Sequence, residues 1–217
     1  MPGPGDEGAG HQEVRDPVDR TNAAAFESHC PGALSSVVGD LVDAFVQPGL
    51  LVSVPIAVGE LTSRYPALTA SVFDRPVVCD LARQSVKDSG AQERVTAVAG
   101  DFWQEDLPRG YDVMLLSNVL HDWSPEQNLV LAGKCHAALE DGGALVVTES
   151  FVNDDGTGPV TGAVSSLRML IETAQGQNYS CGEYESVLRG AGFTDIARVD
   201  FLLDAPGANG ALVARKR

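Results

Sequence analysis

A histidine and an aspartate stand side by side at His121-Asp122, a few positions beyond the apolar run of residues 111–116. A run of that length, preceded by Pro108-Arg109-Gly110 and followed by polar Ser117-Asn118, reads as a buried strand of an α/β sheet. In such sheets ligands bind outside the carboxyl ends of the strands, so side chains that follow Leu116 face a site and not the core. Imidazole titrates close to working pH, which suits His121 to take a proton from a hydroxyl nucleophile. The pair could also contribute to a metal site. With no histidine beyond His136 the ligand count is poor, and no metal is expected.

The elements that must carry these residues follow from periodicity and punctuation. Leu34, Val37, Val38, Leu41, Val42 and Phe45 recur at helical spacing, which predicts an amphipathic helix over residues 32–46 beside the sheet, ended by Pro48-Gly49. Residues 50–59 hold the first strand and its turn. Residues 69–74 and 95–99 are the next strands, separated by a helix over 76–89 that Gly90 stops. Ser124 caps and Pro125 opens a helix running to Leu139, with Gly142-Gly143 as its breaker and a fifth strand over 144–148 that ends at Glu149. Within 160–174, Val164, Leu167, Met169, Leu170 and Ile171 form a helical face, read as a core stripe. A helix over 181–190 and strands over 195–203 and 211–215 complete a mostly parallel sheet with helices on both faces.

Ser71-Val72-Phe73-Asp74, Gly100-Asp101-Phe102, Leu120-His121-Asp122-Trp123, and Gly142-Gly143 leading to Val146-Val147-Thr148-Glu149 occur in this order. As a set they resemble the S-adenosylmethionine (SAM)-dependent O-methyltransferases of the plant caffeate, acetylserotonin and bacterial polyketide type. The resemblance runs from Ala67 to the C-terminus. It implies a Rossmann-like class I methyltransferase sheet with an antiparallel last strand, the cofactor S-adenosyl-L-methionine, and a small hydroxylated aromatic or polyketide-like substrate from secondary metabolism.

By that resemblance His121 matches the catalytic base, and Glu149 the acid that holds its imidazole in the right tautomer. Asp74 matches the ribose-binding acid, Asp101 the partner of the adenine amino group, and Phe102 the ring that lies on the adenine. Taken alone, Asp74 also reads as a helix N-cap and Asp101 as the cap of a plain loop. Ser117 and Asn118 fall near the cofactor carboxylate, where relatives often carry Lys or Arg. Asp122 places the substrate or caps the following helix, Met169 lines the pocket with the apolar face of 160–174, which is thus expected to be a mixture of core stripe and pocket wall, and a second acid used by some relatives falls at about Cys181.

Three departures, one of them that neither Ser117 nor Asn118 can supply a positive charge, keep a second reading open, that of a non-catalytic or repurposed homologue with impaired cofactor binding. Bulky Leu51, Val52 and Val54 stand where the family carries a glycine-rich turn, and the long N-terminal region used for dimerisation is not matched. Homodimer formation is therefore left open.

Residues 1–20, rich in Gly, Pro and charge, read as a flexible tail before a single domain over 21–217. A formal net charge of -15 argues against nucleic acid or an anionic membrane as partner and leaves a small molecule. Cys30, Cys79, Cys135 and Cys181 lack paired spacing and read as free thiols of a reducing compartment. Residues 1–10 do not form a signal peptide and no run is long enough to span a bilayer, so a cytoplasmic location is expected.

Overall fold

Seven strands in the order β3-β2-β1-β4-β5-β7-β6 form one sheet. The computed structural model describes residues 49–52, 56–205 and 208–217; the expected tail, the helix over 32–46, Cys30 and Val54 lie outside them. The strands are β1 (Gly49–Val52), β2 (Thr69–Asp74), β3 (Val95–Ala99), β4 (Tyr111–Ser117), β5 (Leu139–Glu149), β6 (Thr194–Ala205) and β7 (Ala208–Arg215). The first five pair in parallel, and β7 runs antiparallel between β5 and β6. Strand order reverses direction between β1 and β4, which places the sheet's natural ligand crevice at their carboxyl ends.

The central strands are apolar on both faces because both faces are covered. On one side Leu50, Val52, Val72, Leu115 and Val146 pack with Val58 and Leu61 of helix α1 (Ile56–Arg64) and Ala82 and Val86 of α2 (Pro76–Asp88). On the other, Leu51, Met114, Leu116, Leu145 and Val147 pack with Leu131 and Cys135 of α3 (Pro125–Ala138) and Tyr184 and Leu188 of α5 (Cys181–Gly190). The alternation along β1 corrects the expectation for Leu51 and Val52. They are paired strand residues whose side chains enter opposite core layers, not walls of a turn, and residues 53–55 alone separate β1 from α1.

Gly142-Gly143 also does something other than break a helix. Helix α3 ends at Ala138 and β5 starts directly at Leu139. The register then shifts, with Leu139 opposite Tyr111 but Ala144 opposite Val113. Residues 140–143 bulge there, Gly142 takes a φ of 81°, and a Cβ on Gly143 would lie 2.7 Å from the Asp112 carbonyl.

The face of helix α4 (Val160–Glu172) expected to mix core stripe and pocket wall supplies the core with Met169. Met169 is buried, but Val164, Leu167, Leu170 and Ile171 are 60–80% exposed against the described residues. The helix turns its small edge inward instead: a Cβ on Gly162 would meet Val152 at 3.1 Å and the Phe151 carbonyl at 3.2 Å. Among the described residues no helix is long and apolar enough to cross a membrane.

Candidate active site

The connection leaving β4 carries His121 and Asp122. Asn118 takes a left-handed φ of 53° and donates its N–H to the Thr148 carbonyl at 3.0 Å, after which the chain closes into a 3-10 turn, Leu120–Asp122. Glu149, the last residue of β5 and 1% exposed, reaches over to this turn. Its Oε1 accepts from the N–H groups of Val119 (3.1 Å) and Leu120 (2.9 Å), and its Oε2 lies 2.5 Å from His121 Nδ1.

One carboxylate therefore fixes both the backbone of the turn and the ring it bears. With an acceptor-only group at Nδ1, that nitrogen carries the proton and Nε2 keeps the lone pair. His121 is 5% exposed, and Asp122 Oδ1 lies 3.5 Å from its Nε2. Burial lowers the imidazole pKa, while the charge and hydrogen bond of Glu149 and the charge of Asp122 raise it, and the balance lies above the ordinary histidine value. Burial also raises the Asp122 carboxyl, against the opposing pull of His121.

The tips of β2 and β3 carry the other acids. Gly100 N–H donates to the Asp74 carbonyl at 2.9 Å, which holds the two strand ends together. The N-cap position of α2 belongs to Arg75, and Asp74 Oδ1 accepts the Arg75 N–H at 2.7 Å, so the helix-cap reading of Asp74 does not hold. Burial pushes the Asp74 carboxyl above its usual value. Asp101 Oδ1 accepts from Trp103 N–H at 2.8 Å and braces its own loop. A Cβ on Gly100 would lie 2.5 Å from the Phe73 ring, so a larger residue there would force that ring to shift. Phe102, Trp103 and Trp123 meet edge to face with centroids 4.8–6.0 Å apart, joining the loop after β3 to the turn after β4. Lys134 of α3 donates to the carbonyls of Phe102 and Glu105 and anchors the same loop.

The expectations for Ser117 and Met169 need correction, while those for Cys181 and His136 stand as made. Ser117 is 1% exposed and its hydroxyl accepts from Thr148 Oγ1 at 2.7 Å, so its side chain is sealed between β4 and β5 instead of presented to a ligand. Met169 is likewise sealed, at 1% exposure, and does not offer an open pocket wall as placed. Cys181 opens α5, and the charges acting on it are those of Arg198, Asp200, Glu185 and Asp154, so no second orienting acid for His121 is supplied there. His136 packs its ring against Phe193 at 5.0 Å, as a packing residue.

Sequence reasoning missed the residues behind the turn. Asn128 of α3 donates to the carbonyls of Leu120 (2.8 Å) and Trp123 (3.4 Å), and the Tyr179 hydroxyl donates to the Trp123 carbonyl at 2.8 Å. Gly176 lies against the His121 carbonyl so closely that a Cβ would overlap it. No motif marks these positions, because their partners are backbone carbonyls.

The O-methyltransferase domain model matches residues 54–194, and the chain belongs to that family. It is similar to the 3-hydroxy-5-methyl-1-naphthoate 3-O-methyltransferase of Streptomyces sahachiroi, 40% identical over 157 residues that cover 72% of this chain and 45% of that protein. The L-tyrosine C(3)-methyltransferase of Streptomyces lavendulae is 32% identical over 161 residues, 72% of this chain and 43% of its own length. Among solved structures, human N-acetylserotonin methyltransferase in complex with SAM superposes with a TM-score of 0.68 at 28% identity, covering 86% of this chain and 54% of that one. The chain thus spans about half the length of the relatives it matches. The expected family and class I methyltransferase fold are borne out.

Proposed function

We propose that this chain supports SAM-dependent O-methylation of a small hydroxylated aromatic or polyketide-like metabolite, with His121 as general base. The observation that carries the reading is the buried Glu149–His121 Nδ1 contact at 2.5 Å, which leaves Nε2 unprotonated beside the half-exposed Asp122.

The residues present fit the adenosine part of the cofactor. Asp74 and Asp101 stand at adjacent strand ends, each with one oxygen engaged by a backbone N–H, and the half-buried Phe102 follows Asp101 and meets Trp123 edge to face. When bound, SAM supplies an electrophilic methyl group on a positively charged sulfur. The chain's own part is to remove a proton and align the nucleophile. A substrate hydroxyl would hand its proton to His121 Nε2, and SAM held at Asp74, Asp101 and Phe102 would supply the methyl group, its carbon–sulfur bond breaking as the oxygen–carbon bond forms so that a neutral thioether leaves. Glu149 stabilises the imidazolium so formed, and Asp122 is placed to hold the substrate.

One observation favours the alternative of a homologue that does not methylate. Only Ser53, Val54 and Pro55 separate β1 from α1, and none is a glycine. Calorimetric titration with SAM and its demethylated product distinguishes the two readings. Binding, followed by a mass gain of one methyl on 3-hydroxy-5-methyl-1-naphthoate or N-acetylserotonin, supports methyl transfer. No heat and no thermal shift would leave the non-catalytic reading.

A further inference from the structure

We infer that Asn128 is a positioning residue for His121, tying both ends of the turn that bears the imidazole to the rigid helix α3; this rests on His121 being the base. Asn128 is 1% exposed, and its Nδ2 reaches Leu120 O at 2.8 Å and Trp123 O at 3.4 Å, the carbonyls that bracket His121-Asp122. Two carbonyl acceptors decide which end of the amide is nitrogen.

Stability alone does not account for an amide at this position. Both carbonyls have a second donor: Trp123 N–H reaches Leu120 O at 3.2 Å, and the Tyr179 hydroxyl reaches Trp123 O at 2.8 Å. Meanwhile Asn128 Oδ1 is buried with no hydrogen-bond partner among the described residues, a destabilising arrangement. A leucine of similar volume would remove that orphan and strand neither carbonyl. What only the amide supplies is a bridge across the turn. Glu149 holds the turn from the β5 side through Val119 and Leu120, and Asn128 holds it from the helix side. Between these two anchors the direction of Nε2 is set, and alignment at a reacting atom is sensitive to displacements well under the width of an atom.

The test is Asn128→Leu in the full chain, read without any substrate by NMR titration of labelled histidine, with the His121 signal assigned by its loss in His121→Gln. Expected are an unchanged or raised melting temperature and a His121 titration midpoint that falls toward the ordinary histidine value, because the ring no longer meets Glu149 in register. Where the parent methylates 3-hydroxy-5-methyl-1-naphthoate, kcat should drop about 10- to 100-fold with KM for SAM unchanged. Should the leucine variant not fold, Asn128→Ser is read by the same midpoint. A His121 midpoint equal to that of the parent overturns the inference, whether or not the melting temperature falls. A parent that methylates nothing would undo the proposed function while leaving the NMR comparison decisive.

Discussion

Glu149→Gln exchanges one buried carboxylate oxygen for an amide nitrogen at nearly constant volume, and its consequences can be worked out bond by bond. The amide oxygen can go on accepting from Val119 and Leu120 N–H, which turns the amide NH2 toward His121 Nδ1. Two N–H groups cannot face each other there, so the ring proton moves to Nε2 and the basic lone pair is withdrawn from the substrate side. The wrong tautomer costs a serine protease about 10⁴ in kcat, and a loss of roughly 10³ to 10⁴ is expected here. Both partners are buried, at 1% and 5% exposure, so losing the charge-assisted bond should also cost about 1.5–3 kcal/mol of stability.

The pH dependence has a definite sign. His121 has a folded pKa above the reference 6.5, so its protonation stabilises the fold fully below pH 6.5, and that contribution disappears as pH rises through the folded value. The melting temperatures of parent and variant should therefore lie furthest apart below pH 6.5 and converge above the folded pKa. In turnover, the parent should gain activity as pH rises, with its limb above 6.5. In the variant burial is opposed by Asp122 without Glu149, and any residual limb moves down. Thermal melts across this window and kcat against pH for the methylated probe are the assays. A variant with parental kcat and an unmoved limb would refute the role assigned to Glu149.

Further outcomes follow from the same geometry. His121→Ala should lower methyl transfer by about 10² to 10⁴ while calorimetry finds SAM binding unchanged; a variant that still methylates at the parental rate removes the proposed base. Gly176→Ala forces a Cβ into the His121 carbonyl and Thr173 Oγ1 and within 3.0 Å of the Asp122 carbonyl carbon. That overpacking should cost about 1–3 kcal/mol and reduce kcat, and an unchanged melting temperature would show that the segment yields freely. Asp74→Asn should weaken SAM binding about 10-fold. Because burial raises the Asp74 carboxyl, parental affinity should fall on the acid side at a higher pH than an ordinary carboxylate would give, a limb the variant should lack.

Much of the fold was legible because local rules and tertiary packing agreed. The strand over 69–74, the strand over 95–99 and the helix over 181–190 appear where periodicity and punctuation place them. Ser124 and Pro125 do open α3, in a capping box with Gln127. The expectations that failed depended on what lies across from a residue. Gly142-Gly143 looked like a helix breaker, but the carbonyl of Asp112 on the neighbouring strand makes it a bulge. The apolar face of α4, expected to be part core stripe and part pocket wall, buries Met169, while Gly162 packs against Phe151 and the other apolar residues of that face stay exposed.

The amino-acid sequence by itself determined the family, the parallel sheet and the identity of the His121–Glu149 pair, because these reside in residue types at fixed distances along the chain. The tertiary structure alone decided that both oxygens of Glu149 are engaged, that Ser117 and Met169 are sealed, and that Asn128, Gly176 and Tyr179 stand behind the turn. The physical reason is that a backbone carbonyl is present at every residue and marks no position as special. Only folding brings a particular donor to a particular one.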